Sequence, residues 1–173
     1  MSKIDNISNV LDPFFKPEGL TKLEEGQAGM KVELISDGQK FLTLRFDGNL
    51  PRKDFPKGMF PFFNRGEPKV TKLCDYILFT EKDRILFVLL IELKKGHDNV
   101  TDQLQAGKCF VDYVISTVNR VFETHIEPEI RYISIRKRHI KPKPKQKQKD
   151  VEYDQNNFHT FGSNKFWLKS YLK

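Results

Sequence analysis

The chain has 173 residues and a mass of 20.3 kDa, enough for one domain with a real apolar core and too little for two comfortable ones. With 38% hydrophobic and 31% charged residues it has the composition of a folded globular protein, and its longest unbroken apolar run, Ile85 to Ile91, is far too short to cross a bilayer as a helix. Thirty Lys and Arg against 23 Asp and Glu give a net charge of +7, but Arg136 to Lys149 holds eight of those basic residues and no acid; the other 22 nearly balance the 23 acids, so the basic character belongs to one segment.

The first 30 residues, punctuated by Pro13, Pro17, Gly19, Gly26 and Gly29, read as short helical pieces and loops. Lys31–Ser36 and Lys40–Phe46 are extended segments flanking Asp37-Gly38, a pattern that predicts a β-hairpin. Residues 49–68 carry four prolines and two glycines among Phe60, Phe62 and Phe63, which predicts a loop with apolar anchors. Val70–Thr80 and Ile85–Leu93 are apolar on both faces, the mark of central strands buried on both sides and covered by helices. The charged residues Glu81 to Arg84 join them.

From about Asp98 to Arg120, Val100, Leu104, Gly107, Val111, Val114 and Val118 recur at helical spacing, with Asp98 or Asn99 as the N-cap. Ile130–Arg136 then alternates as a strand, which makes a right-handed strand–helix–strand crossover. The lysine-proline run is expected to be flexible over 137–150, and the aromatic segment 151–173 is expected to pack back on a core spanning 31–136. The expected fold is therefore a single α/β domain with a mixed central sheet and flanking helices. Met1 to Asn6 lack the apolar core of a secretory signal, and Cys74 and Cys109 form no CxxC pair, so a reduced, cytoplasmic setting is the expectation. Both cysteines lie in apolar segments, and Cys109 reads as a small core residue of the helix.

Charged groups at the ends of the central strands are out of place. A hairpin turning about Lys82 and Asp83 sets Asp75 opposite Leu90 and one diagonal step from Glu92, while Glu92 and Lys94 share a face because strand side chains alternate. Two carboxylates converging in a partly buried site repel unless a cation lies between them, and oxygen donors from Asp and Glu are what Mg²⁺ prefers. An adjacent lysine stabilises a hydroxide nucleophile or the added charge of a pentacoordinate phosphate. Acidic pair, metal and lysine describe phosphodiester hydrolysis. Glu-x-Lys alone means little, since roughly one occurs by chance in a chain of this size; Glu67-Pro68-Lys69 is a second instance, set in a proline-rich loop.

The segments LCDYILF and VLLIELKKG, followed by a helix carrying Gln103, resemble the core of the PD-(D/E)xK nuclease superfamily. That resemblance covers about residues 70–136 and implies a restriction-endonuclease-like core. In it Asp75 and Glu92 bind Mg²⁺, with Mn²⁺ able to substitute, the Leu93 carbonyl adds a ligand, Lys94 is the catalytic lysine and Gln103 lines the site. It also implies a further acid on an N-terminal helix, for which Glu24 and Glu25 are candidates, and DNA ahead of RNA as substrate. The family's leading proline is replaced by Cys74. Host defence, restriction or repair are the settings it implies, alone, as a homodimer or within a larger assembly, with no membrane partner. Lys95, Lys108, Arg136, Lys137 and Arg138 are the expected contacts to the nucleic-acid backbone. The alternative is a non-catalytic module that keeps the fold and binds nucleic acid or a protein.

Overall fold

A computed structural model describes residues 2–26, 29–46, 60–64, 66–96, 99–137, 151–155 and 157–173. In chain order the elements are helix α1 (Lys3–Val10), strands β1 (Lys22–Glu25), β2 (Met30–Ile35), β3 (Phe41–Arg45), β4 (Tyr76–Lys82) and β5 (Ile85–Lys94), helix α2 (Thr101–Phe122), and strands β6 (Glu129–Arg136), β7 (Phe158–Phe161) and β8 (Lys165–Trp167). Single 3₁₀ turns occupy Pro13–Phe15 and Leu168–Tyr171.

Five strands form a mixed sheet in the order β3-β4-β5-β6-β7, antiparallel through the first three and parallel from β5 onward. The crossover from β5 through α2 to β6 accounts for the change of direction. Because both faces of β4 and β5 are apolar, the sheet is buried twice. Ile77, Phe79, Leu86, Val88 and Leu90 pack under the helices, and Tyr76, Leu78, Phe87, Leu89, Ile91 and Leu93 pack against a second sheet of order β1-β2-β8.

That second sheet corrects the expectation of helices on both faces. Its source is visible in β2, whose buried positions alternate with exposed ones as a strand with one apolar face requires, and in the C-terminal aromatics, which do pack back: Phe166 and Tyr171 are buried in the inter-sheet core with their rings stacked 4.9 Å apart.

The expected 31–46 hairpin does not form as a ladder. Its turn is made, with Asp37 and Gly38 at φ 50° and 79° and the Gln39 N–H donating to the Ser36 carbonyl at 3.0 Å. Beyond it the chain is captured by β4: Gln39 Nε2 donates to Thr80 Oγ1 (2.9 Å) and to the Glu81 carbonyl (2.8 Å), and Thr80 Oγ1 donates to the Lys40 carbonyl (2.7 Å). β2 and β3 therefore diverge into different sheets.

The central hairpin forms with a shifted register. Lys82 pairs with Ile85 and Tyr76 with Ile91, so the turn is the two-residue Asp83-Arg84, with φ 51° and 66°. One further step sets Asp75 opposite Glu92 rather than Leu90. The shift is an even number of residues, so the side-chain faces are preserved. Positive φ at both turn residues is the geometry that favours Asn-Gly, and an L side chain there is strained. Arg84→Gly is accordingly expected to stabilise the fold by about 0.5–1 kcal/mol, read as a rise in the urea midpoint without a change in slope; a loss of stability would contradict this turn geometry.

Candidate active site

Asp75 is the last residue before β4, and Glu92 and Lys94 close β5 on the face that packs under α2. A reciprocal clasp ties the strand ends. The Asp75 N–H donates to Glu92 Oε2 at 3.1 Å, and the Leu93 N–H donates to Asp75 Oδ2 at 2.8 Å. Lys94 Nζ lies 3.0 Å from Glu92 Oε1. Glu92 touches both partners while only 3% exposed, and the Lys94 side chain is 26% exposed. In an extended strand the N–H and C=O of one residue face the same flank, so the Leu93 carbonyl faces the Asp75 side, while the Lys94 carbonyl accepts from the Lys137 N–H on the other flank at 3.0 Å.

Burial pushes the Glu92 carboxyl above its usual range; Lys94 and the Asp75 N–H pull it back, and the Glu25 carboxylate adds to the rise. A carboxyl whose folded-state value is raised binds its proton more readily when folded, so the associated stability is present at acid pH and lost as pH rises through the folded value. In chelator-treated protein, Glu92→Gln, which keeps an acceptor for the Asp75 N–H, is expected to melt above wild type at pH 7 and to lose that advantage below about pH 4. Melting curves across that window check it, and an advantage that grows toward acid would contradict it.

Glu24 and Glu25 lie on strand β1, not on a helix as the family pattern implied. Glu24 is engaged elsewhere: its carboxylate is 3.4 Å from Lys31 Nζ, and its backbone N–H and carbonyl both bond the Tyr76 hydroxyl at 2.8 Å. Glu25 is the one whose charge reaches Glu92. Gln103 sits in the first turn of α2, one turn before Gly107 on the sheet-facing stripe, and its buried Oε1 has no hydrogen-bond partner among the described residues. The helix enters without the expected N-cap, since the position falls on Val100, but Asn99 Oδ1 accepts from the Thr101 N–H at 2.8 Å. Asp98 lies outside the described residues.

The basic residues divide. Lys95 is exposed just past β5, and Arg136 is the register partner of Lys94, donating to the Gly96 carbonyl. Lys137, expected in the flexible segment, is anchored by its N–H to Lys94 and by Nζ to the Gly29 carbonyl at 3.4 Å. Lys108 pairs with Asp112, 2.5 Å away and one helical turn on, an exposed ion pair of modest strength. Arg138 and the rest of the lysine-proline run lie outside the described residues, as does most of the 49–68 loop. Within that loop Phe60 packs on Phe110, but Phe62 and Phe63 are exposed rather than anchoring.

Two smaller expectations are settled by burial. Cys109 is exposed rather than a core residue. Cys74 is fully buried, its thiol pushed up first by burial and then by the Glu92 and Asp75 carboxylates, so it stays protonated and packs against α2.

No family model, curated protein or solved structure matches the chain. The site therefore rests on its own geometry. Among the described residues no group of three or more His, Cys, Asp or Glu stands in a metal-holding arrangement, and no helix is long and apolar enough to cross a membrane. The oxygen donors gathered at this corner, two carboxylates beside a strand-end carbonyl, suit a hard divalent cation that completes its shell with water.

Proposed function

We propose that this chain is a Mg²⁺-dependent nuclease with a restriction-endonuclease-like core, hydrolysing phosphodiester bonds of nucleic acid, with DNA ahead of RNA. The observation that carries the reading is the meeting of Asp75, Glu92 and Lys94 at the end of a doubly buried strand. Burying a carboxylate costs folding free energy that pairing offsets only in part, so a cluster held at this depth favours a task for it. One lysine is a small counterweight for a carboxylate that also feels Glu25.

Asp75, Glu92 and the Leu93 carbonyl are the residues that would hold the cation, which supplies Lewis-acid polarisation of the scissile phosphate and a more acidic water. Lys94 holds an ammonium group beside them, placed to steady an attacking hydroxide or the negative charge that develops on phosphorus. Gln103 approaches from α2 and orients solvent or substrate. Lys95, Arg136 and Lys137 lie at the ends of β5 and β6 and would add positive charge for a phosphate backbone beyond that of Lys94. Arg138 and the lysines that follow extend that charge along the sequence. Affinity through such contacts falls steeply with added salt. Cutting both strands of a duplex favours a symmetric homodimer of a domain this small.

Plasmid and single-stranded substrates incubated with Mg²⁺ or Mn²⁺, against the same reactions in EDTA, test the reading. Cleavage that requires the cation is expected. Binding without cleavage, equal with and without metal, would overturn it in favour of the non-catalytic module.

A further inference from the structure

Ser134 is a polar residue in an otherwise apolar stretch of β6, completely buried, and its hydroxyl finds no hydrogen-bond partner among the described residues. Buried hydroxyls are nearly always satisfied, so an orphan marks either strain or a partner supplied by solvent or ligand. The position favours a supplied partner. Ser134 is the in-register parallel neighbour of Glu92, and partners in a parallel pair share a face. The pair before it, Leu90 with Tyr132, packs under the helices, and the pair after it is Lys94 with Arg136. Ser134 therefore stands at the boundary where the apolar layer gives way to the charged corner.

A second orphan lies in the same layer. Gln103 Oε1 is buried without a partner among the described residues, one helical turn before Gly107, where an added Cβ would meet Cys74 and Leu90. The two other orphans among the described residues, Asn6 Oδ1 and Thr43 Oγ1, belong to α1 and the edge strand β3, away from this corner.

We propose that Ser134 is a positioning residue that accepts a hydrogen bond from a water carried by the divalent cation at Glu92, with Gln103 Oε1 accepting from another. This rests on the cation reading above. Mg²⁺ gives up its waters reluctantly, and those waters are strong donors that need acceptors in a buried setting. A hydroxyl and an amide oxygen with unused lone pairs, one from the sheet and one from the helix, supply them. Such outer contacts fix the ion without touching it.

The test is Mn²⁺ binding, by calorimetry or the loss of the free-ion paramagnetic resonance signal, together with melting in EDTA, for the wild type, Ser134→Ala, Glu92→Gln and Thr43→Val. Ser134→Ala is expected to weaken Mn²⁺ binding about 10-fold or more, while its melting temperature in EDTA holds or rises because no partner is lost. Thr43→Val, which removes an orphan hydroxyl far from the corner, is expected to leave Mn²⁺ affinity unchanged. Wild-type affinity in Ser134→Ala, with binding lost in Glu92→Gln, overturns the role of Ser134 and leaves the cation reading standing. A lower melting temperature of Ser134→Ala in EDTA also overturns it, since the hydroxyl would then have a partner within the protein. No Mn²⁺ binding by the wild type, or equal binding by Glu92→Gln, overturns both.

Discussion

Glu92→Ala is expected to lower cation-dependent cleavage at least about 100-fold, the scale on which a single group that stabilises a transition state acts, and to leave the chain folded. Glu92 is the hub of the corner: one carboxylate oxygen accepts from the Asp75 N–H and the other holds Lys94. Truncation removes a proposed ligand and frees the ammonium, which is exposed enough to turn toward water. Lys94→Ala is expected to reduce turnover comparably while keeping Mn²⁺ binding, because it deletes a neighbour of the proposed cation rather than one of its proposed ligands. Activity measured beside Mn²⁺ affinity separates these roles, and full activity in Glu92→Ala would remove the basis of the nuclease reading.

The largest expected stability effect lies above the site, at Gly107. A Cβ built there falls 2.7 Å from Cys74 Sγ and 3.3 Å from Leu90 Cδ2, both in the core between sheet and helix. Glycine inside a helix ordinarily costs about 0.5–1 kcal/mol relative to alanine, so alanine would improve most such positions. Here overpacking, typically about 1–3 kcal/mol, outweighs that gain, and Gly107→Ala is expected to destabilise. Gly107→Leu drives a full side chain into the same contact and is expected to cost about 3 kcal/mol, a fall of roughly 6–12 °C in melting temperature for a chain of this size. Cys74→Ala removes the sulfur and should restore much of what Gly107→Ala loses, a coupling that a double-mutant cycle measures. Independent, additive effects would show that helix and strand do not meet there.

What could be read beforehand followed from repetition. β5 announces itself by apolar residues on both faces and α2 by a stripe kept up for six turns, because in each case burial acts on every repeat. The convergence of Asp75, Glu92 and Lys94 survived a wrong register because the error was an even number of residues; Asp83-Arg84 lacks the glycine that would have marked the true turn. The divergence of β2 from β3 depends on Gln39 and Thr80, whose bonds span some 40 positions and leave no local trace. The second sheet was hidden likewise, since β8 is a three-residue strand that pairs in parallel with β2 from the far end of the chain. Beside Glu92, the burial of Ser134 has no sequence signal, because a serine in an alternating strand reads as its polar face; the register with Glu92 shows that this face is buried. The pairing of Lys108 with Asp112 is legible as a one-turn spacing of opposite charges.

The most direct test of the proposed metal site is an anomalous difference map from crystals soaked in Mn²⁺. A peak bonded to both the Asp75 and Glu92 carboxylates, with Lys94 displaced from Glu92 or sharing it, is the expected result. A map with no peak there, or with manganese only at unrelated surface carboxylates, would contradict it.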